Sequence, residues 1–147
     1  MTTIVADRAR MVSDSKVTME RKAPIPNTPF ASPKLYIGKG WIIGAAGYSG
    51  DGEKFVKWFK SKRRKSIQLD DDFEALVVTP EGLFFVDGDC SLNEVKDPWY
   101  AIGSGSAAAL GALHAGATLE RAVEIACVVD NGSGLPLQVA ALGMGDV

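Results

Sequence analysis

The chain consists of short apolar segments separated by polar turns, and most of these segments have the length and residue types of β-strands. β-Branched and aromatic residues fill them, and Gly, Pro, Asn or Asp bounds them. The predicted strands are residues 2–7, 11–14, 34–37, 41–46, 74–79, 83–87, 99–102 and 137–142. The run at 83–86 is apolar without alternation, so we expect that strand to be covered on both faces.

Other segments have the periodicity or composition of helices. In residues 51–63 the apolar arc is Phe55, Val56, Trp58 and Phe59, and the opposite arc is Lys54, Lys57 and Lys60. Asp51 near the start and basic residues near the end suit the helix dipole. Residues 104–117 are rich in Ala and Leu, which favours a helix. Thr118 can cap a further helix that ends near Val129.

The order of these elements predicts an α+β fold. Pairs of strands and pairs of helices are segregated along the chain, which favours a layered sandwich over a doubly wound parallel sheet. Prolines at several positions between residues 24 and 33 exclude a helix or an interior strand, so this segment is predicted as a loop. The tail at 143–147 is expected to be loose. Without an internal repeat or a linker, residues 1–147 are expected to form a single domain.

Composition and charge exclude several functions. Apolar residues make up 46% and charged residues 23%, as in a globular core. With 16 basic and 18 acidic residues the net charge is −2, which disfavours a general nucleic-acid binder. The basic run KSKRRK at 60–65 is interpreted as a solvated helix end, because Asp70, Asp71 and Asp72 follow it closely. No GxxxxGK[ST] motif is present, so no nucleotide-binding loop is predicted.

Cysteine and histidine usage points away from metals. Cys90 and Cys127 lie far apart, and His114 is the single histidine, so a zinc site is not expected. We predict no cofactor. The sequence has no apolar run of about 20 residues and no signal-peptide pattern, so no membrane association is expected. A soluble protein of the cytoplasm, where thiols stay reduced, is the expectation.

Thr2 is the first candidate for chemistry. If Met1 is removed, the free α-amine of Thr2 would have a pKa of about 7.7–8.0 and would be partly neutral at pH 7. The amine could then act as a base for the hydroxyl of the same residue, which alone is a poor nucleophile. The alternative is that Thr2 merely begins an edge strand.

Several motifs, in order along the chain, favour the chemical interpretation. They are the opening MTTIVAD, VSDSKVT at 12–18, Lys34, IIGAAGYSGD at 42–51, AIGSGSAAALGAL at 101–113 and DNGSG at 130–134. Together these segments resemble proteasome β-type subunits and their bacterial ring-protease relatives, which are N-terminal nucleophile hydrolases. The resemblance covers residues 2 to about 142. It implies a four-layer αββα sandwich of two antiparallel sheets between helix layers, trimmed relative to the family.

The resemblance also implies roles for individual residues. Those implied to be catalytic are Thr2, Asp14, Lys34, Ser104, Asp130 and Ser133. The N–H of Gly47 would serve the oxyanion hole, where one donor is typically worth about 3–4 kcal/mol. Val17, Thr18, Ala45 and Ser49 would bind substrate. Since Ala45 is small, we expect a roomy pocket that prefers large apolar side chains.

Two functions of different classes follow from the resemblance. The first is a threonine endopeptidase that acts on peptides or unfolded proteins, assembled as a homo-oligomeric ring, with an AAA+ ATPase unfoldase as a possible partner. The second is a non-catalytic scaffold or assembly subunit of the same fold. The joint presence of Thr2, Asp14 and Lys34 favours the peptidase. KSKRRKSIQLDDDF stands where a family member carries a second long helix, so a thinner helix layer is expected there.

Overall fold

A computed structural model describes residues 2–18, 24–25, 34–47, 49–61 and 65–146 of the chain. The strands are β1 (Ile4–Ala6), β2 (Arg10–Ser13), β3 (Val17–Thr18), β4 (Pro24–Ile25), β5 (Leu35–Gly38), β6 (Trp41–Ala46), β7 (Glu74–Thr79), β8 (Gly82–Val86), β9 (Leu92–Glu94), β10 (Tyr100–Ile102) and β11 (Gln138–Ala141). The helices are α1 (Ser49–Lys60), α2 (Ser106–His114) and α3 (Leu119–Val129), and a 3-10 turn covers Met144–Asp146.

The N-terminal hairpin forms the centre of the first antiparallel sheet. Within the described residues its strand order is β10-β1-β2-β11. Ile4 lies opposite Ile102 on one side and Ser13 on the other, and Ser13 in turn lies opposite Gln138. This register brings the start of β1, the end of β10, the end of β2 and the start of β11 to one end of the sheet.

The second antiparallel sheet is a meander. Its order in the described part of the chain is β5-β6-β7-β8-β9, so every strand pairs with its neighbour in sequence. Tight turns join the hairpins, at residues 39–40 between β5 and β6 and at residues 80–81 between β7 and β8. The short pair β3-β4 stands apart, with Val17 opposite Ile25 and Thr18 opposite Pro24.

Alternation along the strands builds four layers. Ile4 and Met11 face the second sheet and pack with residues such as Leu76, whereas Val5 faces α2 and α3. On the second sheet, Val77 faces the other way and packs in the cluster that holds Phe55 of α1. The order helix, sheet, sheet, helix confirms the predicted α+β sandwich. Residues 65–73 contain no helix, which agrees with the thinner helix layer expected for this segment.

The structure differs from the sequence-based expectations in several places. Helix α1 begins at Ser49, not at residue 51, and it ends at Lys60; residues 62–64 lie outside the described part. Pro24–Ile25 forms a strand where only loop was predicted, because a two-residue pair tolerates proline at its edge; residues 26–33 lie outside the description. β9 was not predicted, since its sequence Leu-Asn-Glu has little strand character.

The C-terminal tail is also more ordered than expected. Leu142 N–H donates to the Ala9 carbonyl at 2.8 Å, which continues the pairing of β11 with the N-terminal hairpin. Ala141 N–H lies 3.1 Å from Met144 Sδ, and Gly145 packs closely on Gly38 of β5. The prediction of a loose tail was therefore wrong for residues 143–146. Among the described helices, none is long and apolar enough to cross a bilayer.

Candidate active site

The first sheet gathers separate segments of the chain around its N-terminal strand. Thr2 and Thr3 precede β1, and the register places them beside residues 103–105 after β10 and beside Asp14 after β2. Ser15 N–H donates to the Gly134 carbonyl at 2.9 Å, which brings the loop between α3 and β11 to the same place. Antiparallel pairing alone therefore brings together residues that are more than a hundred positions apart.

Asp14 and Lys34 form a buried ion pair at this end of the sheet. Lys34 Nζ lies 2.7 Å from Asp14 Oδ1, with side-chain exposures of 8% and 0%. Lys34 Nζ also donates to the Lys16 carbonyl at 2.6 Å. The Asp14 carboxylate accepts three backbone N–H groups as well: Thr3 at 3.0 Å on Oδ1, and Lys16 at 3.1 Å and Gly134 at 3.0 Å on Oδ2. The pair is thus well coordinated, as a buried charge requires.

Burial dominates the electrostatics of Lys34. Loss of hydration lowers the pKa of the Lys34 ammonium below its ordinary value, and the charge of Asp14 and its hydrogen bond oppose that shift. While it remains charged, a buried cation stabilises negative charge that develops nearby more strongly than a solvated lysine would, because the local dielectric constant is low.

The main chain of Thr2 is held from the side of β10. Thr2 N–H donates to Ser104 Oγ at 3.3 Å, and the Thr2 carbonyl accepts from Gly105 N–H at 3.3 Å. Gly103 has φ of +93°, and a Cβ at that position would overlap the Thr2 carbonyl oxygen. Glycine at 103 is therefore needed both for its conformation and for the close approach of residue 2.

A carboxylate and two hydroxyls form a second network next to Thr2. Ser104 Oγ and Ser133 Oγ each donate to Asp130 Oδ2 at 2.7 Å. Partial burial acts to raise the pKa of Asp130, but the hydrogen bonds from Ser104, Ser133 and the Gly132 N–H outweigh it and leave that pKa below its ordinary value. Asp130 is therefore an ionised acceptor near neutral pH.

Thr3 was not among the predicted residues, yet it touches both networks. Its N–H donates to Asp14 and its Oγ1 lies 2.7 Å from Ser133 Oγ. One signal was available in the sequence, because strand alternation places Thr3 on the same face as Val5, which packs on the helices. A fully buried hydroxyl in that row needs a partner.

The predicted oxyanion and substrate residues lie in β6, just after it, at the start of α1 and in the separate strand β3. Ala45 is half-buried, its N–H donates to the Lys34 carbonyl at 3.1 Å, and its side chain packs in the cluster that holds Phe55 of α1. Gly47 follows β6, is exposed and has φ of +117°. An added Cβ at Gly47 would lie 3.2 Å from Phe73 Cα, so glycine is needed there for the backbone itself. Val17, Thr18 and Ser49 are described by their main chain, in β3 and at the start of α1.

Comparisons with known proteins find structures of similar fold but no match at the level of sequence families. No protein-family model matches the sequence, and no curated protein matches it. Among solved structures, Thiobacillus denitrificans BPH has a TM-score of 0.71 at 20% identity, over 96% of this chain and 96% of that one. BPH in complex with epoxomicin has a TM-score of 0.71 at 19% identity, over 96% and 97% of the chains.

A eukaryotic protein gives a match of the same quality. HslV from Trypanosoma brucei has a TM-score of 0.71 at 22% identity, over 95% of this chain and 98% of that one. The chain therefore shares the fold of BPH and HslV, in agreement with the α+β sandwich that its motifs predicted.

Proposed function

We propose that this protein is a threonine-type peptidase whose nucleophile is Thr2, exposed by removal of Met1. The observation that carries the proposal is the meeting of two networks at the start of β1. The buried Lys34–Asp14 pair reaches this strand through Thr3 N–H, and the Ser104–Asp130–Ser133 network reaches it through Thr2 N–H. The fold shared with HslV- and proteasome-like peptidases supports the same conclusion.

Each group has a distinct task in the proposed reaction. The nitrogen of Thr2, now a free amine beside Ser104, takes the proton of the Thr2 hydroxyl as the oxygen attacks the peptide carbonyl carbon. The positive charge of Lys34 stabilises the forming alkoxide. Ser104 and Ser133, oriented by Asp130, hold the amine and a water molecule and relay protons.

The proposed cleavage then proceeds through an ester. Negative charge on the carbonyl oxygen is stabilised by the N–H of Gly47. The C–N bond breaks, the leaving amine takes the proton from the Thr2 amine, and the acyl group remains on Thr2 Oγ1. Water then attacks the ester, returns a proton to the threonine oxygen and releases the carboxylic acid.

Labelling with an electrophilic peptide tests the nucleophile. The wild-type protein should lack Met1 by intact mass and should gain the mass of one inhibitor on Thr2, with epoxomicin as the first probe because it occupies one of the neighbouring structures. Thr2→Ala should abolish labelling, since alanine keeps the N-terminus small but removes the hydroxyl. Thr79→Ala, on a distant hairpin, is the matched control and should label normally. Retention of Met1, or labelling that persists in Thr2→Ala, would contradict the proposal.

Cleavage profiling tests the proposed substrate pocket. We propose that Ala45, whose main chain pairs with that of Lys34, forms this pocket with Val17, Thr18 and Ser49, and the small size of alanine supports a preference for a large apolar group. A peptide library should show cleavage after large apolar residues. A preference confined to acidic or basic residues would rule this pocket out.

We further propose that the chain, as a single domain, assembles into a homo-oligomeric ring that encloses its sites in the cytoplasm. Val128 and Val129 at the end of α3 are 85% and 67% exposed, and apolar residues that exposed suit an interface between copies. Closed rings are the usual outcome of head-to-tail contacts. Light scattering should give a mass several times 15.6 kDa, and a monomer would contradict the ring.

An AAA+ ATPase unfoldase is the partner we propose, to be tested by ATP-dependent degradation of a folded substrate.

A further inference from the structure

Thr3 is a buried polar residue that the reaction above does not use. It is completely buried, and both of its polar donors point to the site. Its N–H donates to Asp14 Oδ1 at 3.0 Å, and its Oγ1 lies 2.7 Å from Ser133 Oγ. Thr3 therefore connects the Asp14–Lys34 pair to the Ser104–Asp130–Ser133 network through its own N–H and hydroxyl.

The direction of the hydrogen bond between Thr3 and Ser133 follows from proton counting. A hydroxyl has one hydrogen, and Ser133 donates its hydrogen to Asp130 Oδ2, which as a carboxylate only accepts. The hydrogen between the two hydroxyl oxygens must then belong to Thr3. Thr3 thus donates to Ser133, Ser133 donates to Asp130, and Asp130 also accepts from Ser104.

This chain of bonds orders the hydrogen atoms next to the Thr2 nitrogen. Since Ser104 gives its hydrogen to Asp130, its oxygen is free to accept from Thr2 N–H. Donation from Thr3 polarises the Ser133 hydroxyl and strengthens its bond to Asp130, because hydrogen bonds in series reinforce one another. Removal of the Thr3 hydroxyl would leave Ser133 with its bond to Asp130 but without that reinforcement and without the second contact that fixes its orientation.

The packing around Thr3 fixes its rotamer. A Cβ at position 105 would overlap Thr3 Oγ1 and lie 3.2 Å from Thr3 Cβ, so the side chain fills the space that Gly105 leaves. Gly105 N–H also donates to the carbonyl of Thr2. The hydroxyl of Thr3 is therefore held in one place by contacts that involve the same turn as Ser104.

We propose that Thr3 is a positioning residue: its hydroxyl donates to Ser133 and thereby orients Ser133, Asp130 and Ser104 toward the nitrogen of Thr2. The inference extends the proposed function, because the nitrogen that it orients is the proposed base. It assigns Thr3 no contact with substrate and no covalent step.

A titration of Asp130 tests the inference without any need for activity. We compare Thr3→Val, which replaces the hydroxyl by a methyl group, with wild type, using proteins labelled with carbon-13 at the Asp side-chain carboxyl and Asp130→Asn for assignment. Weaker donation from Ser133 should raise the pKa of Asp130 by about half a unit. Thr3→Ser, which keeps the hydroxyl, should restore the wild-type value.

Matched controls separate this role from a merely structural one. Ser13 is equally buried at the same end of the sheet, but its hydroxyl donates to the Asp14 carbonyl and not to the network. Ser13→Ala should leave the titration of Asp130 unchanged. The other titratable groups that act on Asp130 are the α-amine, Lys34 and the Cys127 thiol; all variants share them, so the difference between variants isolates Thr3.

The rate of labelling at Thr2 gives the second measurement. Thr3→Val should lower the labelling rate about fivefold to tenfold and move the acid limb of its pH profile upward, with Thr3→Ser near wild type. If wild type is not labelled, the proposed function fails, and the titration alone decides the role of Thr3. An Asp130 pKa that is the same in wild type and folded Thr3→Val would overturn the inference. If Thr3→Val does not fold, the titration of Thr3→Ala decides in the same way.

Discussion

At the scale of single residues, the Asp14 carboxylate stands out because it accepts hydrogen bonds from four donors. It is fully buried and accepts from the Lys34 ammonium and from the backbone N–H groups of Thr3, Lys16 and Gly134. A buried carboxylate is tolerated only when such partners replace water. Asp14 therefore ties β1, β2 and the loop before β11 to Lys34.

Asp14→Asn should be strongly destabilising, because it leaves the Lys34 ammonium buried beside a neutral amide. Removal of one partner of a buried ion pair typically costs about 3–5 kcal/mol. The free energy of unfolding from urea titrations measures the loss. The double variant Asp14→Asn/Lys34→Met should regain much of it, since no charge is then buried. A single variant within about 0.5 kcal/mol of wild type would contradict the burial of this charge.

The lowered pKa of Lys34 predicts a pH dependence of stability. Between that pKa and the ordinary value of 10.5, the unfolded chain binds more protons than the folded protein, so the contribution of Lys34 to stability increases with pH in this range. Lys34→Met should lack this increase. Urea titrations of both proteins at several alkaline pH values measure the difference. Curves that stay parallel up to pH 10.5 would show that burial does not lower the pKa of Lys34.

At the scale of elements, the turn between β10 and α2 decides where the N-terminus lies. A Cβ at Gly103 would overlap the Thr2 carbonyl oxygen, and a Cβ at Gly105 would overlap Thr3 Oγ1. The sequence GSG is thus the local feature that lets β1 begin against the first turn of α2. Helix α3 is fixed separately by its cap, in which Thr118 Oγ1 accepts from Arg121 N–H at 3.1 Å, as the sequence predicted.

Substitution of Gly103 tests this role of the turn. Gly103→Ala should cost about 2 kcal/mol or more, because alanine is disfavoured at positive φ and its Cβ would overlap the Thr2 carbonyl oxygen. Gly111→Ala is the matched control, since Gly111 lies in α2 with open space around it and should gain about 0.5–1 kcal/mol. Urea unfolding compares the two, and equal effects would contradict the close approach at Gly103.

At the scale of the whole molecule, the apolar layer between the two sheets joins the halves of the fold. Ile4 and Met11 come from the first sheet, Ile42 and Leu76 from the second, and all are completely buried. The site residues on the first sheet and Lys34 with Ala45 at the second are held in register through this layer. Loss of packing there should therefore affect both halves together.

Leu76→Ala tests that layer. A cavity at a fully buried leucine typically costs about 2–5 kcal/mol. Probes on opposite faces, Trp58 on α1 and Trp99 beside α2, should report one common unfolding transition in urea. Lys57→Ala on the exposed face of α1 should change stability by less than about 0.5 kcal/mol. Separate transitions for the two tryptophans would show that the layer does not couple the sheets.

Much of this fold could be predicted from the sequence because the informative patterns are local. The apolar arc of α1, the Thr118 cap and the alternating strands each lie within a few residues of one another. β9 and the pair β3-β4 were missed because strands of two or three residues that contain polar residues or proline have little β-propensity and no readable alternation. The ordered tail was missed for another reason, since its partners Gly38 and Ala9 are more than a hundred positions away.

In the candidate site, too, residues within local motifs could be predicted, whereas contacts between distant segments could not. The resemblance to proteasome-like proteins supplied Asp14, Lys34 and Ser104 as candidates, and the structure brings Asp14 to Lys34 and Ser104 to Thr2. Thr3 was not foreseen, because its partner Ser133 is 130 positions away and only the sheet register brings the two together. The resemblance assigned only an oxyanion role to the Gly47 N–H, whereas the positive φ of Gly47 and the closeness of Phe73 give a separate reason for glycine at this position.

The turn after β10 holds the second residue by hydrogen bonds to its main-chain carbonyl oxygen and nitrogen. These hydrogen bonds do not depend on which side chain the residue carries. Serine or cysteine at this position should therefore be placed in the same way, so the proposed nucleophile can be exchanged and the reactivities of the three side chains compared in one setting.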